Sequence, residues 1–320
     1  MARFAGSLPL RRSALLFLIA VSAGPLLAWA APNLDALLAY DAAQPGDLKT
    51  VGTQREGAAE VADVEFDGAK GDERVQAYLV RPARAPGSGP GSRAAILYVH
   101  WFDPSQPDSN RTQFLGEAKA MAGRGVVSLL VSTFWSDPAR YDRRTWQTDF
   151  DNTLRQVRSL RRALDILVAQ PGVDPERVAL VGHDYGAMHG AVAAAADARI
   201  KSLVFIAGAP RFPDWYSFGS ATGVPKGADR GNWQRQFAAI DPVNVIGLSS
   251  ARFFLQFGEQ DFYTPRRAFV ALYEATSEPK RLATYESEHE MRHAIIRHDR
   301  ETWLAEQLKL EPAPAVAAGH

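Results

Sequence analysis

The sequence predicts an α/β protein: a mostly parallel sheet with helices on both faces, opened by an antiparallel hairpin and carrying one short lid insertion. Three observations predict it. Continuous apolar runs such as Val126-Val127-Ser128-Leu129-Leu130-Val131 and Val178-Ala179-Leu180-Val181 read as strands buried on both faces. Stretches with apolar residues at helical spacing alternate with these runs, the order that joins parallel neighbours. And 320 residues, 46% of them hydrophobic, supply the core for one sizeable domain.

The first 30 residues stand outside that domain. Arg3, Arg11 and Arg12 precede an apolar stretch from Ala14 to Ala23, and Ala28-Trp29-Ala30 is a small-x-small cleavage site. This is the pattern of a secretory signal peptide, so the chain is expected in the periplasm or secreted, with cleavage near Ala30. Gly24 and Pro25 interrupt the apolar run, which argues against a spanning helix, so no stable membrane insertion is expected after signal cleavage; a retained, uncleaved anchor is the minor alternative. The Arg11-Arg12 pair raises twin-arginine export, but its flanks favour the general route. In residues 31–60, Leu34, Leu37 and Leu38 make one helical turn, and Pro45, Gly46, Gly52 and Gly57 break any further pattern; a loosely ordered arm is expected.

The domain proper is expected over 61–310. Residues 61–66 and 75–80 alternate apolar and polar side chains across a glycine-containing turn, the pattern of an antiparallel hairpin at a sheet edge. Strands follow at 94–99, 126–131, 178–181, 202–206, 252–257 and 281–286. Helices are expected at 112–123, 144–169, after residue 184, at 266–276 and at 290–308. Residues 208–250 break the rhythm with glycines, prolines and six aromatics, as a lid or binding loop does. Residues 311–320 form a proline/alanine tail, expected to be disordered. With 36 basic against 36 acidic residues and no basic cluster, nucleic acid is not an expected partner, and the absence of cysteine excludes disulfides and a thiol nucleophile.

The stretch with chemical content is Gly182-His183-Asp184-Tyr185-Gly186, set between an apolar strand and a run of small helix formers. A strand that turns into a helix within one residue needs a glycine two positions either side, and lifts the residue at the bend above the sheet. This resembles the nucleophile elbow of the α/β-hydrolases. Asp184 stands where most of that superfamily has serine, and the motif is similar to the elbow of epoxide hydrolases and haloalkane dehalogenases. The resemblance implies an α/β-hydrolase fold and a carboxylate that attacks carbon directly, giving an alkyl ester. The competing reading is an elbow that has lost its serine and its activity. The hairpin ending Ala77-Tyr78-Leu79-Val80-Arg81-Pro82, with no room for a large cap, resembles the dienelactone-hydrolase-like branch instead, which works on lactones and esters.

The resemblance also implies the remaining site residues, because the superfamily orders its triad nucleophile, acid, histidine. Asp261, in Gly258-Glu259-Gln260-Asp261, is the expected acid, and His289, after the last strand, the expected base that activates water. The oxyanion hole is expected from the Tyr185 N–H and an N–H in the loop after the strand ending at His100, where Trp101 replaces the family's glycine. Trp101 either offers its indole N–H to a leaving halide, as Trp215 also would, or fills space. Tyr185 and Tyr216 are either proton donors to a departing oxygen or packing residues. His183 is expected to be structural, and His189 buried and hydrogen-bonded.

One motif competes. His289-Glu290-Met291-Arg292-His293 is a literal H-E-x-x-H, which on a helix would bind zinc. Arg292 sits where zincins carry an uncharged residue, and His289 already has a place in the triad. The sequence therefore points to an exported hydrolase of a small organic substrate, an epoxide or alkyl halide, needing no cofactor or metal. The alternatives are an ester or lactone hydrolase with Asp184 as base, and an inactive homologue that only binds small molecules.

Overall fold

Nine strands form one sheet: β1 (Lys49–Glu56), β2 (Ala59–Asp67), β3 (Arg74–Pro82), β4 (Arg93–Val99), β5 (Val127–Val131), β6 (Val173–His183), β7 (Ser202–Ile206), β8 (Arg252–Gly258) and β9 (Lys280–Tyr285). Their order is β1-β2-β3-β5-β4-β6-β7-β8-β9. The first three pair antiparallel and β3 joins β5 antiparallel, while every pair from β5 to β9 is parallel. The computed structural model describes residues 33–310 except 45, 70–73, 84–88, 90 and 219–222. The expected signal peptide and the 311–320 tail lie outside the described residues.

Helices fill the crossovers: α1 (Leu34–Leu37), α2 (Leu115–Ala122), α3 (Pro138–Asp142), α4 (Trp146–Val168), α5 (Tyr185–Ala196), α6 (Phe212–Tyr216), α7 (Gly227–Phe237), α8 (Pro242–Val245), α9 (Arg266–Ala275) and α10 (Ala294–Gln307). Because side chains alternate across a strand, each central strand feeds two cores. Leu97 and Val99 of β4, with Leu129 of β5 and Leu180 of β6, pack with α4 and α5 on one face. Ile96 and Tyr98, with Val181 and Val204, pack with α2 and α10 on the other. This double burial makes the parallel strands read as unbroken apolar runs. No helix among the described residues is long and apolar enough to cross a membrane.

Two expectations need correction. Residues 49–56 are not loose: they form β1, paired with β2 outside the expected hairpin. All eight are exposed, so the strand is held by ladder hydrogen bonds and leaves no hydrophobic period to read. The last helix begins at Ala294, and residues 289–293 are turn and extended backbone with Met291 at φ 52°. His289 and His293 therefore do not share a helical face, and the zincin geometry is not built. In the 208–250 segment, Phe212, Trp215, Tyr216, Trp233 and Phe237 belong to the main core cluster, and only Phe218 of the six aromatics is exposed.

One buried ion pair ties the second face together. Arg300 of α10 donates to Glu117 of α2 (2.7 Å) and to Gln256 of β8 (3.1 Å), and Tyr98 of β4 donates to Glu117 (3.3 Å). Both charged side chains are buried. Removing one member leaves the other charged and unpaired in the core. Glu117→Ala is expected to cost about 3–5 kcal/mol in urea unfolding; a loss under 1 kcal/mol would contradict the assignment.

Candidate active site

The site is assembled at the carboxyl ends of β4, β6, β8 and β9, the edge where open α/β sheets place ligands. At the end of β6 the chain bends at Asp184, with φ 56° and ψ −117°, a conformation that non-glycine residues hold only under strain. Hydrogen bonds over-determine the bend: the Asp184 N–H donates to the Ile206 carbonyl (2.8 Å), and its carbonyl accepts from Met188 N–H (3.0 Å) in the first turn of α5. The flanking glycines are steric requirements. A Cβ on Gly182 would overlap the Gly186 carbonyl, and one on Gly186 would overlap the Val99 carbonyl.

Asp184 is fully buried. One oxygen, Oδ2, accepts a hydrogen bond from the Phe102 backbone N–H at 3.0 Å, and Oδ1 has no hydrogen-bond partner among the described residues. Burial raises the carboxyl to about 7, against the opposing pull of His289 and of the Phe102 and Tyr185 N–H groups. Asp261 and His289 are brought together as the sequence order implied: His289 Nδ1 lies 2.8 Å from Asp261 Oδ2. Asp261 is fixed in turn by the N–H groups of Tyr263 (2.8 Å) and Thr264 (3.0 Å) on its other oxygen. Burial lowers the His289 pKa, but the hydrogen bond to Asp261 and the charges of Asp184 and Asp261 outweigh it, and the net shift is upward. His289 Nε2 has no partner among the described residues. Asp184 and His289 each thus keep one atom without a partner among the described residues, a carboxylate oxygen and an imidazole nitrogen, on groups that interact electrostatically.

A hydrogen-bonded chain sets these loops relative to one another. Trp101 N–H donates to Gln113 Oε1 (2.9 Å), Gln113 Nε2 lies 2.6 Å from His183 Nδ1, and His183 Nε2 lies 2.9 Å from the His289 carbonyl. His183 therefore donates through Nε2 and accepts through Nδ1. Burial, helped by the His289 charge, holds its pKa well below the ordinary range and keeps it neutral. His189 is likewise buried, its Nδ1 2.7 Å from the Tyr185 carbonyl, and desolvation brings it to about 3. Both histidines are structural in geometry.

The pocket residues divide. The loop N–H facing the carboxylate is that of Phe102, not Trp101, whose N–H is spent on Gln113. The Trp101 ring stacks on His183 at 5.2 Å and 5°, and its indole N–H is buried without a partner. Tyr185 pairs its hydroxyl with that of Tyr141 (2.6 Å), and Tyr216 pairs with Thr153 (2.8 Å), so both hydroxyls are engaged within the aromatic wall. Sequence reasoning missed Phe102, Gln113, Tyr141 and Arg144. Arg144 is buried, donates twice to Asp149 at 2.9 Å and once to Tyr141 Oη at 3.1 Å, and lies over the Tyr141 and Tyr216 rings. Its position as the first residue of the helix expected at 144–169 gave no sign of this. Trp215 and Tyr263 close the imidazole side, with ring centroids 5.4 and 5.1 Å from His289. A polar cleft of about 780 Å³, lined by Arg111, Ser136 and Asn152 among others, lies apart from these groups; neither Asp184, Asp261 nor His289 lines it.

Comparison with solved structures decides the fold. An acetyl xylan esterase from Paenibacillus sp. R4 superimposes with a TM-score of 0.66 at 20% identity, over 86% of this chain and 92% of that one. Acetyl xylan esterase 1 from Thermoanaerobacterium sp. JW/SL YS485 gives 0.63 at 14%, over 86% and 92%. A Klebsiella pneumoniae protein described as a dienelactone hydrolase gives 0.55 at 15%, over 79% and 99%. The chain has the α/β-hydrolase fold. No family model matches the sequence, and no curated protein matches it.

The raised Asp184 pKa carries a stability consequence. Between its ordinary value and about 7, the unfolded chain ionises this group while the folded one keeps it protonated, so stability falls with rising pH over that window and levels above it. Asp184→Asn removes the buried charge. It is expected to be more stable than the parent by about 2–4 kcal/mol at pH 8, with the gain vanishing near pH 4, in chemical unfolding at the two pH values.

Proposed function

We propose that this protein is an exported hydrolase in which Asp184 is the nucleophile, acting on saturated carbon that bears a leaving group, an epoxide or an alkyl halide. The observation that carries this reading is the Phe102 N–H on Asp184 Oδ2. In a serine hydrolase of this fold, that loop N–H would stabilise the oxyanion of the substrate. Here the nucleophile's own oxygen takes it. Carboxylate attack on an ester would moreover give a mixed anhydride, a high-energy species, whereas attack on saturated carbon gives an ordinary ester.

The steps follow from the geometry. Asp184 Oδ1, without a hydrogen-bond partner among the described residues, forms a bond to the substrate carbon while the carbon–oxygen or carbon–halogen bond breaks; the electron pair leaves with the departing atom, as halide or as an epoxide-derived alkoxide that takes a proton from water. His289 Nε2 then takes a proton from water, and the resulting hydroxide adds to the carboxyl carbon of Asp184. The negative charge that develops on Oδ2 falls on the atom already held by Phe102 N–H. Collapse breaks the bond between the carboxyl carbon and Oδ1, the departing oxygen takes the proton from His289 Nε2 and leaves as the alcohol, and one water oxygen stays in the Asp184 carboxylate. Asp261 orients His289 and stabilises the imidazolium. Because Asp184 is fully buried, the aromatic wall around it must part to admit substrate.

A second reading has its own support. The structural neighbours named above are esterases, and a carboxyl near 7 is matched to general-base work. In that reading Asp184 deprotonates water and an ester or lactone is the substrate. Export to the periplasm or beyond rests on the basic, apolar and small-residue pattern of residues 1–30.

Isotope labelling separates the two readings. Single turnover in ¹⁸O-water should place label in the peptide containing Asp184, and His289→Gln should accumulate an alkyl adduct on Asp184 after exposure to epoxides or haloalkanes, both read by mass spectrometry. Unlabelled Asp184 together with turnover of acetate esters would move the assignment to the base mechanism. Activity should also rise with pH through about 7 as Asp184 ionises, in a kcat/KM profile. A profile flat down to pH 5 would contradict the buried carboxylate as the attacking group.

A further inference from the structure

Outside the triad, one surface feature points at it. Three large aromatics are exposed side by side: Phe262 at 79%, Tyr263 at 44% and Phe218 at 41%. Phe262 and Tyr263 follow Asp261 in the acid loop, and Phe218 follows α6, so the cluster joins two separate segments. Their ring centroids lie 5.6 Å (Phe262–Tyr263), 5.6 Å (Phe218–Tyr263) and 6.5 Å (Phe218–Phe262) apart. The interplanar angles are 83°, 86° and 65°. Contiguous exposed apolar side chains of this kind mark a recognition surface.

The cluster leads inward. Tyr263 touches the His289 ring at 5.1 Å, and Trp215 bridges Phe218 (5.8 Å), Tyr263 (5.8 Å) and His289 (5.4 Å). An unbroken series of aromatic contacts thus runs from solvent to the imidazole. The mutual tilt of the three outer rings decides what they fit. A flat saccharide chain stacks on coplanar rings, and these are nearly perpendicular to one another. Steep walls of this kind offer one incoming ring both a face and edges, the arrangement aromatic pairs prefer. None of the three side chains is charged.

We propose that Phe218, Phe262 and Tyr263 form an outer subsite that holds an aryl ring of the substrate while its reactive carbon passes Trp215 toward Asp184. This rests on the triad region being the reaction site, and it narrows the substrate class to aryl-bearing compounds.

Binding and turnover test it separately. In Asp184→Asn protein, 2-phenylethanol should bind measurably by calorimetry, and 1-hexanol more weakly. Adding Phe218→Ala and Phe262→Ala should weaken 2-phenylethanol binding about tenfold and leave 1-hexanol unchanged. Restoring a ring with Phe262→Trp should recover most of the loss. Because both side chains are solvent-exposed, circular dichroism and unfolding should match the parent. In the active protein, the preference for 1,2-epoxy-6-phenylhexane, whose ring is spaced from the epoxide, over 1,2-epoxyhexane in kcat/KM should fall by the same factor. Equal binding of the two alcohols, or ring binding untouched by the double substitution, overturns the proposal. So does a change in sedimentation from dimer to monomer without a change in ring affinity, which would make the cluster a contact between copies. Ring binding without any adduct on Asp184 would sink the nucleophile assignment and leave the subsite standing.

Discussion

The constraint on which the site depends is a fully buried carboxylate at a strained bend. Asp184 sits at positive φ because the strand-to-helix turn, closed by two inflexible glycines and the Ile206 carbonyl, permits no other course. That position takes the side chain into a fully buried space, where ionisation is opposed by lost solvation. The Phe102 N–H and the nearby imidazole recover part of that loss. They leave a group whose charge is poorly stabilised and whose outer oxygen has no partner, and a poorly solvated anion with a free lone pair is a strong nucleophile or base.

Everything else in the region orients other groups around that carboxylate. The chain Trp101–Gln113–His183–His289 runs from the loop after β4, across the end of β6, to the loop after β9. It couples the backbone that carries Phe102 to the backbone that carries the imidazole, through a histidine that burial keeps neutral. The Arg144–Asp149 pair and the Tyr141–Tyr185 contact do the equivalent work on the opposite wall. Such buried polar networks fix geometry when every member is satisfied, and most of these atoms are.

The similarity to esterases at 14–20% identity and the aspartate at the elbow concern different levels of the molecule. The fold gives strand order and the places where loops meet. It does not give the atom that attacks, because one superfold hosts many chemistries. With a carboxylate at the elbow in place of a hydroxyl, the adjoining Phe102 N–H meets the elbow side chain itself.

The sequence by itself determined the sheet's parallel half, the bend at Asp184 and the pairing of Asp261 with His289. Doubly buried strands must be apolar throughout, and a one-residue bend between strand and helix must have glycines beside it; both demands leave marks on single positions. It did not reveal β1, whose fully exposed residues carry no hydrophobic period, or the start of α10, which comes after a loop that only looks like a metal motif in one dimension. Nor did it reveal that Phe102 rather than Trp101 meets the carboxylate, or that Tyr141 and Arg144 line the wall. Those assignments depend on which backbone N–H and which ring arrive at a given point once distant loops converge. Local propensity and spacing do not encode that convergence; only packing across the sheet edge does.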